Sequence, residues 1–236
     1  MIGQHLCVIL RNYGSMTEHR PHAVTREHDY IPAFGKDALL PFYDLLTRVL
    51  GMGKAYDALV GQSDLADGVR VLEIGCGTGN VTIRAKRAAP GTDMIGLDPD
   101  PLALARAQRK MRGISGIRFE RGYAQQLPFA DGQFDRALSS MMLHHLDEDV
   151  KAGAAAELHR VLRPGGQLHI VDIGGHTTAH HGLAARWMKE NPHAAGNLGD
   201  AIPRLLRSVG FDCAEVGTQR HRLIGQLTFY RATKPA

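Results

Sequence analysis

From residue 69 to residue 231 the chain alternates short apolar, β-branched runs with longer segments whose apolar positions recur at helical spacing. The short runs predict strands over 69–74, 93–98, 117–121, 134–139, 167–172, 212–217 and 224–231. Helices are predicted over 80–89, 101–112, 149–162 and 199–209. Asp100 followed by Pro101 forms an N-cap and first-turn pair for the second of these helices. Arg163-Pro164-Gly165-Gly166 reads as a stop ahead of the fifth strand. Alternation of this kind predicts an α/β fold, a doubly wound and mainly parallel seven-stranded sheet with helices on both faces. No helix is predicted between the last two strands, so they are expected to pair as an antiparallel hairpin at one edge, which makes the last strand antiparallel.

The flanking segments break this rhythm. Residues 1–28 are polar, carry scattered histidines and read as a flexible extension, with Met16 as a candidate start. Residues 29–66 are expected to form an N-terminal helical cap. Ile31, Phe34, Leu39, Phe42, Leu46 and Val49 recur there at helical intervals, and Pro32 and Pro41 divide the segment into short pieces. Residues 67–236 then form the main domain, with 173–198 as a Gly-, His- and Ala-rich insertion. The insertion is too long for an ordinary strand-to-helix connection and reads as a lid or as a linker. Tyr30, Phe34, Phe42 and Tyr43 from the cap, with Trp187 and Met188 from the insertion, are expected to wall an apolar pocket.

Composition narrows the function classes. At 236 residues, 44% hydrophobic and 22% charged, the chain has the make-up of a soluble globular domain. It holds no apolar run near the roughly 20 residues of a membrane span, and a cytoplasmic location is expected. Cys7, Cys76 and Cys213 are too few and too far apart for a disulfide framework or a zinc site. The formal net charge of +4 equals that of residues 204–236, where six Lys/Arg face Asp212 and Glu215. With 6% aromatic residues, the basic stretch lacks the interleaved rings of a nucleic-acid groove, so no nucleic-acid partner is expected. Peripheral contact with an anionic surface stays open, as does the choice between monomer and homodimer. His176 and His180 share ligand-like spacing, but no Cys or acid completes a set and no metal is expected.

The chemistry concentrates at Val71-Leu72-Glu73-Ile74-Gly75-Cys76-Gly77-Thr78-Gly79-Asn80. An apolar strand runs into a turn with glycine at every second position, where the backbone can approach a ligand closely. A helix N-terminus follows, suited to a polar ligand. Glu73 inside the strand is unusual, because an unpaired buried carboxylate is costly. The dinucleotide fingerprint would need glycine where Asn80 stands. Asp98 ends the next strand 19 positions after Gly79, where a carboxylate can accept both ribose hydroxyls of a nucleoside.

Glu-x-Gly-x-Gly-x-Gly from Glu73 to Gly79, the acid Asp98, Arg121-Gly122-Tyr123-Ala124-Gln125, Asp131-Gly132-Gln133-Phe134-Asp135 and Arg160-Val161-Leu162-Arg163-Pro164-Gly165-Gly166 occur in order. In this the chain resembles the class I S-adenosylmethionine-dependent methyltransferases, closest to the branch of the ubiquinone- and menaquinone-biosynthesis enzymes. The resemblance implies a Rossmann-like fold, S-adenosylmethionine as cofactor and a small organic acceptor. It implies cofactor contacts from Glu73, Gly75, Cys76, Gly77, Thr78, Gly79, Asp98, Pro99, Gly122, Tyr123, Ala124, Gln125, Ser139 and Met141. In the family's third segment an acid normally follows the glycine, and here Tyr123 takes that place.

The fourth strand leads into Ser139-Ser140-Met141-Met142-Leu143-His144-His145. Ligands of open parallel sheets sit beyond the carboxyl ends of the strands. His144 and His145 are therefore candidate bases for deprotonating an acceptor, since imidazole titrates near neutral pH. They cannot both point the same way. Three alternatives remain at this stage: a phospholipid head-group methyltransferase, a non-catalytic cofactor-binding module and a nicotinamide-dependent oxidoreductase.

Overall fold

The computed structural model describes residues 51–175, 196–221 and 225–236. The extension, the aromatic positions of the expected cap, Trp187, Met188, His176, His180 and most of the expected lid lie outside those residues. The described chain runs α1 (Gly53–Gly61), β1 (Arg70–Ile74), α2 (Asn80–Ala88), β2 (Asp93–Asp98), α3 (Pro101–Lys110) and β3 (Ile117–Arg121). It continues through β4 (Phe134–Ser140), a short 3-10 turn (Leu143–His145), α4 (Glu148–Val161), β5 (Leu162–Ile173), α5 (Ala201–Ser208), β6 (Asp212–His221) and β7 (Gly225–Thr233).

One seven-stranded sheet carries the order β3-β2-β1-β4-β5-β7-β6. Strands β1 to β5 pair in parallel, and β7 runs antiparallel to both β5 and β6. The expected fold class and its antiparallel last strand are found. The last two strands pair as the expected antiparallel hairpin at one edge, with β6 outermost.

Side chains alternate between the two faces with the strand period of two. Val71, Met94, Leu138 and Val171 pack on one side with Ala55, Tyr56 and Leu59 of α1 and Val81 and Ile83 of α2. Leu72, Ile74, Ile95, Leu97, Leu168 and Ile170 pack on the other with Leu158 and Val161 of α4 and Ile202 and Leu206 of α5. The described part of the expected cap is thus a helix that covers the sheet. Asp100 caps α3, its Oδ1 accepting from the N–H of Leu102 at 2.8 Å and of Ala103 at 3.3 Å.

One boundary differs from the sequence reading. Arg163-Pro164-Gly165-Gly166 does not stop the chain ahead of a strand, because β5 starts directly after α4 and runs through it. Pairing with β4 shifts between Phe134 and Arg136 to accommodate the passage. Its backbone finds partners in the C-terminal segment: Gly165 N–H donates to Lys234 O, and Lys234 N–H to Gly166 O, both at 2.9 Å. A Cβ on Gly166 would lie 2.8 Å from Arg163 O, so the close approach requires glycine there.

The strand order reverses around β1, which has β2 on one side and β4 on the other. In open α/β sheets this is where a crevice forms beyond the strands' carboxyl ends. The glycine turn and the β4 turn both leave from that edge.

Candidate functional site

The turn after β1 is closed by its own backbone. Gly79 N–H donates to Cys76 O at 2.8 Å, and Cys76 N–H reaches across to Leu97 O at 3.1 Å. Gly75, Gly77 and Gly79 all have positive φ, at 64°, 51° and 74°. Two of these glycines also answer a packing demand. A Cβ on Gly75 would lie 2.4 Å from Met142 Cγ, and one on Gly79 would lie 2.7 Å from Phe119 Cζ. A Cβ on Gly77 would meet nothing within 4 Å among the described residues. Gly77 is therefore the point where bare backbone faces open space.

Asp98 ties this turn to the next strand. Its Oδ2 accepts the Gly77 N–H at 2.7 Å, and its Oδ1 the Asp100 N–H at 2.9 Å. Those two bonds use about half of a carboxylate's acceptor capacity, which leaves room for donors from a ligand. Burial pushes its pKa up to about 6. Capping of α3 falls to Asp100, so Asp98 is not held in place by that duty.

Glu73 is buried and accepts a hydrogen bond from the Thr82 hydroxyl at the start of α2. Burial pushes its pKa up to about 8, and the Thr82 bonds offset only part of the rise. Cys76 is buried as well, and desolvation raises its thiol well above the ordinary value, which argues for packing rather than redox chemistry. The Thr78 hydroxyl, also buried, accepts from Lys110 Nζ at 3.3 Å.

Gly122 N–H donates to Asp98 O at 3.2 Å, which holds the third segment beside the end of β2. Within that segment Ala124 is buried, Tyr123 half-buried and Gln125 exposed. Half-buried Pro99 accepts from Arg121 Nε at 3.2 Å through its carbonyl. The geometry thus gathers Glu73, the glycines, Asp98 and Gly122 at one place.

The β4 turn forms the second part. Ser139 is fully buried, and its hydroxyl finds no hydrogen-bond partner among the described residues. Met141 holds φ at 55°, rare for a non-glycine residue and a form of strain found at sites that a fold over-determines. Its N–H donates to Val171 O at 2.9 Å. Leu143 N–H donates to Asp172 Oδ2 at 2.8 Å, and His144 Nδ1 lies 2.6 Å from Asp172 Oδ1. Ile173 N–H also reaches Oδ1, at 2.7 Å. His144 and Asp172 are both buried, whereas His145 is half-buried with its ring centroid 4.0 Å from that of His144.

Residues 71–166 match the methyltransferase domain family. The match spans 96 of the chain's 236 residues, and over that stretch the chain is similar to the family. The chain is 35% identical over 144 residues to a demethylmenaquinone methyltransferase of Thermus thermophilus, covering 57% of this chain and 62% of the relative. It is 35% identical over 141 residues to the protein of the same name from Deinococcus radiodurans, covering 58% and 57%. The chain therefore spans about three fifths of the length of these curated relatives. Among solved structures, a Haemonchus contortus phosphoethanolamine N-methyltransferase 2 in complex with S-adenosyl-L-methionine superposes with a TM-score of 0.73. The match covers 92% of this chain and 62% of that one at 17% identity, a likeness of fold alone.

The residues of this stretch fit S-adenosylmethionine. Gly77 leaves the cradle that a Cβ would fill, and Asp98 keeps acceptor capacity beside it. Sequence reasoning passed over Thr82 and Asp172, and named Met142 only within the segment that follows the fourth strand. For Asp172 a signal existed: an acid inside the apolar run Leu168-His169-Ile170-Val171-Asp172-Ile173, the same anomaly that marks Glu73.

Proposed function

We propose that this chain transfers a methyl group from S-adenosylmethionine to a small apolar or aromatic acceptor of the hydroquinone type. The observation that carries the reading is the closure of the glycine turn by Asp98, where a bare backbone and a buried carboxylate share one edge of the crevice. The names of the curated relatives support the acceptor class. Among the described residues, no helix is long and apolar enough to cross a membrane. A cytoplasmic site of action fits that observation.

In this reading Glu73, Gly75, Cys76, Gly77, Thr78 and Gly79 shape the methionine end of the cofactor site, and Asp98 with Pro99 takes the ribose. Gly122, Tyr123, Ala124 and Gln125 border the adenine, and Ser139 and Met141 flank the reacting end. The cofactor supplies an electrophilic methyl group on a sulfonium. The chain's own tasks are alignment, exclusion of water and removal of the acceptor's proton, the last falling to His144. His145, more exposed, lines the rim.

Calorimetric titration with S-adenosylhomocysteine and separately with NAD tests the cofactor. Methyl-labelled cofactor offered with 1,4-naphthohydroquinone tests the acceptor. Binding of S-adenosylhomocysteine and labelled product are expected. Binding of NAD alone would replace the proposal with an oxidoreductase, and cofactor binding without turnover on any extract metabolite would leave a binding module.

A further inference from the structure

Asp172 lies 28 residues from His144, at the end of a different strand, and is fully buried. A carboxylate placed there without partners would be costly, yet it accepts from Leu143 N–H, Ile173 N–H and the His144 ring. Two of these contacts fall on successive residues of the β4 turn, one on backbone and one on the ring. The same carboxylate therefore fixes both where the turn sits and how the imidazole is rotated. Met142, between strained Met141 and Leu143, packs on Gly75 and joins the assembly to the glycine turn.

A carboxylate can only accept. The 2.6 Å contact thus assigns the His144 proton to Nδ1 and makes Nε2 the basic nitrogen. We propose that Asp172 is a positioning residue that holds His144 as an Nε2 base toward an acceptor with an ionisable O–H group. The inference rests on the methyltransferase reading above.

The step it describes is a proton transfer. The acceptor's O–H bond breaks, the electron pair stays on oxygen, and the proton moves to Nε2. Both ring nitrogens then carry protons, and the ionised Asp172 faces the cation. After methyl transfer the proton leaves Nε2 for water, which restores the starting tautomer. An acceptor that arrives already ionised, such as a thiolate, would have no use for this arrangement. The pair therefore favours a phenolic or enolic hydroxyl.

Nitrogen-15 NMR of histidine-labelled wild-type protein tests the proposal without relying on turnover, with His144→Gln identifying the His144 signals. The expected result is a neutral His144 protonated at Nδ1, whose Nε2 resonance moves when S-adenosylhomocysteine and 1,4-naphthohydroquinone are added together. Asp172→Asn is expected to mix the tautomers and to lower kcat about 100-fold, the size of a general-base contribution. Its S-adenosylhomocysteine affinity should stay within about threefold of wild type, a difference under 1 kcal/mol. A wild-type ring protonated at Nε2, or an Nε2 resonance indifferent to both ligands, would overturn the proposal. So would an unchanged kcat in folded Asp172→Asn protein. These results differ from failure of the parent reading, which would appear as no S-adenosylhomocysteine binding by wild type.

Discussion

The two halves of this crevice are built differently. On the β1–β2 side, residues from Glu73 to Asp98 form a site from one stretch of chain, and its shape comes from what is missing: three Cβ atoms. On the β4–β5 side, the site depends on a pairing between residues 28 positions apart, and its shape comes from a buried carboxylate with three donors. Backbone conformation governs the first half and side-chain hydrogen bonding the second. Substitutions should therefore act on them separately, except where they touch.

They touch at Gly75, and the largest effect is expected there. A methyl group on Gly75 would run into Met142 of the β4 turn at a positive φ, so Gly75→Ala should cost about 3 kcal/mol of stability. Gly77→Ala has the same backbone strain without the clash, and should cost about 1 kcal/mol. The smaller loss should come with S-adenosylhomocysteine binding weakened by more than about tenfold, because the methyl fills the cradle. Chemical denaturation together with calorimetric titration would resolve the pair. Equal stability losses would mean that Met142 moves aside and that the two halves are uncoupled.

The contrast in construction also explains what could be read from the chain. All seven strands were visible in the apolar pattern, as were α2 to α5, because their periodicities are local. Glu73, the glycines and Asp98 were visible too, since that half is one contiguous motif. The Asp172–His144 contact was not, because it exists only once β4 and β5 lie side by side. Nor was the entry of Arg163-Pro164-Gly165-Gly166 into β5. Proline and glycine normally interrupt a strand, and here the distant C-terminal segment supplies the backbone partners.

Asp98→Asn should affect the first half alone. Removing the charge weakens two backbone bonds and the acceptor that ribose hydroxyls would use, so S-adenosylhomocysteine affinity should fall about tenfold. The His144 tautomer should stay as it is. In the wild type, hydroxyl donors favour the ionised carboxylate, so affinity should drop as pH falls below about 6, the value to which burial raises this acid. A pH-independent affinity would mean that the ligand does not use Asp98.

The smallest effect is expected at Glu73, and its sign is informative. Burial raises its pKa from 4.5 to about 8, so the folded protein binds this proton more tightly than the unfolded chain does. Its contribution to stability is complete below about 4.5 and is lost as pH rises toward 8. Asp98 adds the same sign over a lower window, from 3.8 to about 6. Glu73→Gln keeps an acceptor for the Thr82 hydroxyl and has no charge to desolvate. Its Tm should therefore match wild type near pH 5 and equal or exceed it near pH 8. Equal destabilisation at both pH values would show that Glu73 stands as a compensated anion, like the carboxylate on the β4–β5 side, and the contrast between the halves would then narrow to the glycines.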